Sequence, residues 1–189
     1  RLLIPVHKLV GVEQHMADHA ADFDVTISDE RELLLDTGGG LVRALPLIGE
    51  DPFLCVNADN WWTDEGANAF RRLMSTWDED IMDVLMLVVP FAEANNSQGQ
   101  GDFDMDDDGL LSRRKPAQSG AFVWTGIQML SKRIIVDPPS DVFSTNVFWD
   151  RAIAEGRCVG LVHEGLWFDV GYPAAIAATE QKLTEYAGG

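Results

Sequence analysis

Short apolar runs alternate with stretches of helical period along this chain. Residues 1–6 read as a strand buried on both faces, Val10 to Ala20 carries a helical pattern, and Asp24–Ser28 is strand-like again. Phe53-Leu54-Cys55-Val56 is a third apolar run. The helix predicted after it presents Phe70, Leu73, Met74 and Trp77 on one face. Val84 to Val89 is the most apolar run of all and suits the centre of a parallel sheet, where both faces are covered. Residues 90–120 then turn polar and Gly-rich, predicting a long loop followed by a hairpin with its turn at Asp106-Asp107-Asp108-Gly109. Ala121–Leu130 resumes as a strand. Ser144 or Asn146 caps a helix through Phe148, Trp149, Ala152 and Ile153 that stops at Gly156. Arg157–Val162 is another strand, and Pro173 opens a last helix to about Tyr186. Strands alternating with helices predict an α/β fold with a mixed, mainly parallel sheet. With 189 residues, no repeat and no interdomain linker, the expectation is a single domain over 1–189.

Charge changes the list of partners. Fourteen Lys and Arg stand against thirty-one Asp and Glu, a formal net charge of −17. A field of that sign repels nucleic acid and anionic membrane, and neither is expected as a partner. It would repel a polyphosphate too, unless a divalent cation bridges it to carboxylates, so a nucleotide ligand implies Mg²⁺ rather than a basic pocket. No apolar run approaches the roughly 20 residues of a membrane span, and the first one is cut short by His7-Lys8, so the default location is cytoplasmic. Cys55 and Cys158 each sit in an apolar run and read as small buried hydrophobes, not as a disulfide or a metal pair.

Three segments suggest chemistry. Leu34-Leu35-Asp36-Thr37-Gly38-Gly39-Gly40 places three glycines before a helical run, where the backbone can approach a flat or anionic ligand. It is neither a P-loop nor G-x-G-x-x-G, and by spacing alone a plain tight turn is the more ordinary reading. Val56-Asn57-Ala58-Asp59-Asn60 follows the third apolar run directly, and an aspartate at the carboxyl end of a strand can hold a metal. Equally, Asp59 could cap the next helix, as Asp64 could. Trp167-Phe168-Asp169-Val170-Gly171 places another carboxylate between aromatic residues and a glycine, just ahead of Pro173.

Taken in order, Leu-Asp-Thr-Gly-Gly-Gly, Val-Asn-Ala-Asp-Asn and Trp-Phe-Asp-Val-Gly resemble the sugar-1-phosphate nucleotidyltransferases, or sugar-nucleotide pyrophosphorylases. The likeness is closest to the N-acetylmuramate-1-phosphate uridylyltransferases and mannose-1-phosphate guanylyltransferase-like proteins. Gly99 to Phe103 and Phe122 to Gln128 resemble further segments of that group. The resemblance implies a three-layer α/β/α fold and nucleotidyl transfer from a nucleoside triphosphate, UTP favoured, to a sugar 1-phosphate, with pyrophosphate leaving. It implies Asp59 and Asp169 as catalytic ligands of Mg²⁺, Thr37, Gly38, Gly39 and Gly40 as nucleotide-facing, and Gly101, Asp102 and Gly126 as sugar-side residues. Members begin with a Gly-rich, Arg-containing phosphate loop and a later Pro-Lys-Pro-like segment, whereas this sequence starts at what resembles their second strand. The expectation is therefore a fold lacking its first β–α unit, inactive alone, with an open sheet edge that invites self-association. The chain also carries Ala58 where the group has Gly, and Tyr172 where it has Thr.

Other constellations are weaker. Asp104, Asp106, Asp108 and Gly109 fit the start of a calcium loop, but its twelfth position is Lys115. His15 and His19 read as a solvated helix face. Asn95-Asn96-Ser97 matches a glycosylation acceptor and carries no weight in a cytoplasmic protein. Two rival functions remain open: a metal-dependent glycosyltransferase, with Asn57-Ala58-Asp59 as a degenerate Asp-x-Asp, and a non-catalytic nucleotide- or sugar-phosphate-binding or regulatory protein of the same fold.

Overall fold

The computed structural model describes residues 2–6, 11–20 and 22–187. In chain order the elements are β1 (Leu2–Val6), α1 (Val12–His19), β2 (Val25–Asp29), α2 (Asp36–Ala44), β3 (Phe53–Val56), β4 (Asn60–Trp62), α3 (Ala69–Thr76) and β5 (Val84–Pro90). They continue as β6 (Phe103–Met105), β7 (Leu111–Arg113), β8 (Phe122–Leu130), α4 (Asn146–Ala154), β9 (Cys158–Val162), β10 (Trp167–Asp169) and α5 (Pro173–Ala187). The chain divides into two compact units, Arg1–Phe53 with Lys132–Arg151, and Leu54–Ser131 with Ala152–Gly189. Two of the divisions fall inside β3 and α4 and the third directly after β8, so none coincides with a Gly- or Pro-rich linker that composition could reveal.

In the first unit β1 and β2 pair in parallel from Leu2 opposite Val25 to Val6 opposite Asp29. The expected Val10 at the start of α1 lies outside the described residues. The segment 141–145 packs on α2, and Phe143 meets Phe148 edge to face at 5.4 Å.

The second unit holds the large mixed sheet, in the order β7-β6-β8-β5-β9, with β3 also paired to β8. β5 is its apolar axis: every residue from Val84 to Val89 is buried. It pairs in parallel with β9 and antiparallel with β8, and the β6–β7 hairpin pairs antiparallel internally and with β8. The sheet is mixed, as expected: β5 and β9 pair in parallel, whereas β5–β8, β6–β8 and β6–β7 pair antiparallel. The strand after the hairpin returns alongside β5 instead of crossing over it through a helix. The hairpin turn falls where the sequence placed it. Asp106 Oδ1 accepts the amides of Asp108 and Leu110 at 3.1 and 2.8 Å and closes the turn.

α3 begins at an Asn68 cap, whose side chain accepts from the amides of Phe70 and Arg71. Its buried face packs Ala69 and Leu73 against Met82, Leu85, Leu87, Ile127, Met129 and Val159, with Phe70 and Trp77 at the border. Met74, assigned to that face by spacing, is 55% exposed instead. In an eight-residue helix the contact is two turns long and too narrow to take a residue one step round from Leu73. His163, just beyond β9, is buried and its backbone N–H donates to Val88 O at 2.8 Å. Burial lowers its pKa from the ordinary 6.5, outweighing the nearby Asp64 carboxylate.

Two expectations follow. Leu73→Ala should cost about 2–5 kcal/mol of unfolding free energy, and Met74→Ala less than about 0.5 kcal/mol, in urea titrations. For His163 the unfolded chain binds the proton more readily than the native one, so its contribution to stability is complete above pH 6.5 and declines as the pH falls toward its lower native value. His163→Leu should flatten that part of the stability–pH curve.

Candidate functional site: two carboxylates on an aromatic ribbon

Asp59 and Asp169 are brought together by a ribbon of three residues a side. β4 and β10 pair antiparallel, Trp62 opposite Trp167, Trp61 opposite Phe168, and Asn60 opposite Asp169. The ladder runs on for one bond, with Val170 N–H donating to Asp59 O at 2.9 Å. So short a ribbon is marginal in water by itself, and its aromatic rungs supply the anchorage. Trp167 packs with Val89 and Val123 in a cluster that Trp62, Phe91 and Ala94 border. Phe168 is fully buried and meets Trp61 edge to face at 5.8 Å.

At the open end of the ribbon Asp59 is exposed and Asp169 half-buried. Gly171 N–H donates to Asp169 Oδ1 at 2.8 Å. A methyl group placed on Gly171 would stand 3.1 Å from Asp169 Oδ1 and 3.2 Å from Asp59 Oδ2. Both carboxylates therefore lie close to the Gly171 backbone and to one another, and a side chain at position 171 would crowd them. The helix-capping alternative for Asp59 is not what the structure shows, because α3 is capped by Asn68, with Asp64 Oδ1 accepting from Ala69 N–H at 2.9 Å.

The floor under the Asp59 turn is a bulge in β8. The β5–β8 register shifts between Met86 and Val88, so Thr125, Gly126 and Ile127 stand opposite Leu87 alone. The Thr125 hydroxyl donates to Leu87 O at 2.8 Å. All three bulge carbonyls accept: Thr125 O from Trp167 Nε1 at 3.0 Å, Gly126 O from Asn57 N at 2.8 Å, and Ile127 O from Trp124 Nε1 at 3.2 Å. Gly126 has φ +84°, and a Cβ there would lie 2.1 Å from Asn60 Nδ2, so this position needs glycine for both conformation and room.

The other sugar-side candidates, Gly101 and Asp102, directly precede β6 and lie beside the start of β8. Asp102 N–H donates to Phe122 O at 2.7 Å, and Asp102 Oδ2 accepts Trp124 N–H at 3.0 Å. Gly101 is buried against Gly120. Asp102 thus bonds to Trp124, and Asn57 to Gly126 two residues further along the strand.

Thr37, Gly38, Gly39 and Gly40 belong to the first unit and form the first turn of α2, not a loop. Their polar groups and open faces are engaged by the chain itself. The Thr37 hydroxyl pairs with that of Thr145 at 2.7 Å, and Gly38 and Gly39 N–H both donate to Phe143 O, at 2.8 and 3.2 Å. The spaces where side chains would stand are filled by Phe143, by Asp141 O and by the Glu30 carboxylate. An exposed row of amides ready for a ligand is not what this segment presents.

Sequence reasoning missed the β4–β10 ribbon, the bulge, and the pair Asn95-Asn96. Asn95 O accepts Asp169 N–H at 3.1 Å, and Asn96 Nδ2 donates to Asp169 O at 3.2 Å. The available signal was two amide residues shortly after a buried strand, beyond the short turn at Phe91–Glu93, which the sequence also offers at many ordinary loops.

No protein-family model matches the chain. It is 35% identical over 161 residues to N-acetylmuramate alpha-1-phosphate uridylyltransferase from Caulobacter vibrioides, an alignment covering 85% of this chain and 66% of that protein. It is 30% identical over 162 residues to the protein of the same name from Neisseria meningitidis serogroup B, covering 85% and 68%. The chain belongs to this family of sugar-phosphate nucleotidyltransferases. It spans about two thirds of the length of the curated family members it matches. The fold agrees: the structure of HddC from Yersinia pseudotuberculosis, complexed with GMP-PN, superposes with a TM-score of 0.73 at 22% identity, covering 97% of this chain and 78% of that one. Among the described residues no helix is long and apolar enough to cross a membrane.

Gly126→Ala should therefore lower stability by about 1–3 kcal/mol in urea titrations, through the positive φ and displacement of Asn60. It should also speed amide exchange across residues 57–60 while leaving β9 protected.

Proposed function

We propose that the protein carrying this chain transfers a nucleotidyl group from a nucleoside triphosphate, UTP by preference, to a sugar 1-phosphate, giving a nucleotide sugar and pyrophosphate. The observation that supports this most strongly is that Asp59 and Asp169 both bring a carboxylate oxygen close to Gly171, and so to one another. Membership of the uridylyltransferase family supports the choice of base, and N-acetylmuramate 1-phosphate is the first sugar phosphate to test.

In the transfer, a phosphate oxygen of the sugar 1-phosphate attacks the α-phosphorus in line. The bond from that phosphorus to the bridging oxygen breaks, and pyrophosphate carries away the electron pair. No proton need be abstracted from an ionised phosphate, so positioning and charge neutralisation carry the catalysis. Two adjacent carboxylates in a chain of net charge −17 repel a triphosphate unless a cation stands between them. Oxygen-only ligands, two carboxylates with the rest of the shell left to substrate, fit Mg²⁺. When bound, that ion would supply the charge that screens the phosphates. Asp59 and Asp169 would hold it, the ribbon fixes their separation, and Gly171 keeps the space between them clear. Gly101, Asp102 and Gly126 would lie on the sugar side, beside the start of β8 and at its bulge.

The test is pyrophosphate release from UTP and sugar 1-phosphate by the whole protein. Asp59→Asn and Asp169→Asn should each lower turnover by about 100-fold or more, and the double variant should be little worse than either. Full turnover in either single variant would sink the assignment of the pair.

A further inference from the structure

Asp169 is held by both of its backbone polar groups, and both partners come from one dipeptide. Its N–H donates to Asn95 O at 3.1 Å, and its C=O accepts from Asn96 Nδ2 at 3.2 Å. Asn95 extends the hold one rung back: its backbone N–H donates to Trp167 O at 3.4 Å, which with the Asp169 bond makes a parallel bridge to Phe168, and its Nδ2 donates to the same Trp167 O at 2.8 Å. Asn96 extends it one element forward. Its Nδ2 also reaches Thr179 Oγ1 at 2.9 Å and Ala175 O at 3.4 Å on α5, and its own carbonyl accepts from the Tyr172 hydroxyl at 3.1 Å. Asn96 sits at φ +63°, a conformation that costs most side chains free energy and that asparagine and glycine accept. The turn that points this amide at Asp169 O is thus one for which the residue type is suited. Asn96 touches neither carboxylate.

We propose that Asn96 is a positioning residue for the metal-binding carboxylate of Asp169, tying that residue's carbonyl to the first turns of α5 so that Asp169 keeps its separation from Asp59. Partners that orient metal ligands without touching the ion commonly matter about 10- to 100-fold in affinity. The proposal rests on the reading of Asp59 and Asp169 as the metal pair, and two measurements separate the two ideas.

Asn96→Gly is the informative variant, because glycine keeps the backbone conformation and removes only the amide. The first measurement is amide hydrogen exchange, which needs no metal. Exchange at Asp169, Val170 and Gly171 should rise about tenfold or more in Asn96→Gly, with the amides of β5 and β9 unchanged. Unchanged exchange at those three residues overturns the positioning role whatever the fate of the metal reading. The second is paramagnetic broadening of the Gly171 amide resonance by Mn²⁺, which detects even millimolar binding. Half-broadening should require about tenfold more Mn²⁺ in Asn96→Gly than in the native protein. Native-like broadening in that variant overturns the link from Asn96 to the metal. Asp59→Asn and Asp169→Asn serve as controls: broadening that survives both shows the metal-pair reading to be wrong, while the exchange result still decides whether Asn96 positions Asp169. A destabilising collapse is recognised by loss of protection in β5 and β9, and Asn96→Asp, which also accepts positive φ but loses the donor, then repeats both measurements.

Discussion

The skipped residue in the β5–β8 pairing is the constraint on which the site depends. A regular strand would spend the backbone groups of Thr125, Gly126 and Ile127 on its neighbours in the ladder. With three residues facing Leu87 alone, the three carbonyls are available to groups outside that pairing, and each takes one: the Trp167 indole, the Asn57 amide and the Trp124 indole. The first of these fixes β10 and the second fixes the turn that ends in Asp59. One local irregularity thus anchors both strands of the ribbon to the most buried strand pair of the second unit. The cost of the irregularity is contained by the Thr125 hydroxyl, which satisfies Leu87 O where the ladder does not.

The chemistry then follows from geometry at the open end. Buried aromatic rungs hold the ribbon, and the last rung carries a carboxylate on one side and lies next to one on the other. Such a pair is unfavourable by itself, since like charges a few ångströms apart repel. The proposed function gives it a use, with a cation between the carboxylates and an anionic substrate. In a chain of net charge −17 such a cation is what would admit a polyphosphate.

Much of this was legible in the sequence, and the rest fails for identifiable reasons. Runs long enough to show a period, such as Val84–Val89 and Ala121–Leu130, gave strands close to those observed, and Asp106 to Gly109 gave the hairpin turn. β4 and β10 are three residues each, too short for alternation to be read, and their partner lies more than a hundred positions away. The bulge left Gly126 visible only as an isolated glycine within a strand. Asp59 and Asp169 could be nominated by resemblance, but nothing in their spacing says that they meet. Gly38 to Gly40 were read as the place where a ligand approaches, and in the structure Phe143, Asp141 O and the Glu30 carboxylate stand against them. Asn95-Asn96 matched a modification motif and drew attention away from what two amides after a buried strand can bind.

The span between the two strands of the ribbon has a consequence for assembly. β4 leaves the ribosome roughly a hundred residues before β10, and in that interval Trp61 and Trp62 have no partner strand. The hairpin and the β5–β8 pair can form early, because their strands are close in sequence. Asp59 and Asp169 meet only when nearly the whole described chain has emerged. Under the proposed function, an ion held between them would report that synthesis has reached α5 and that the long-range contacts have closed.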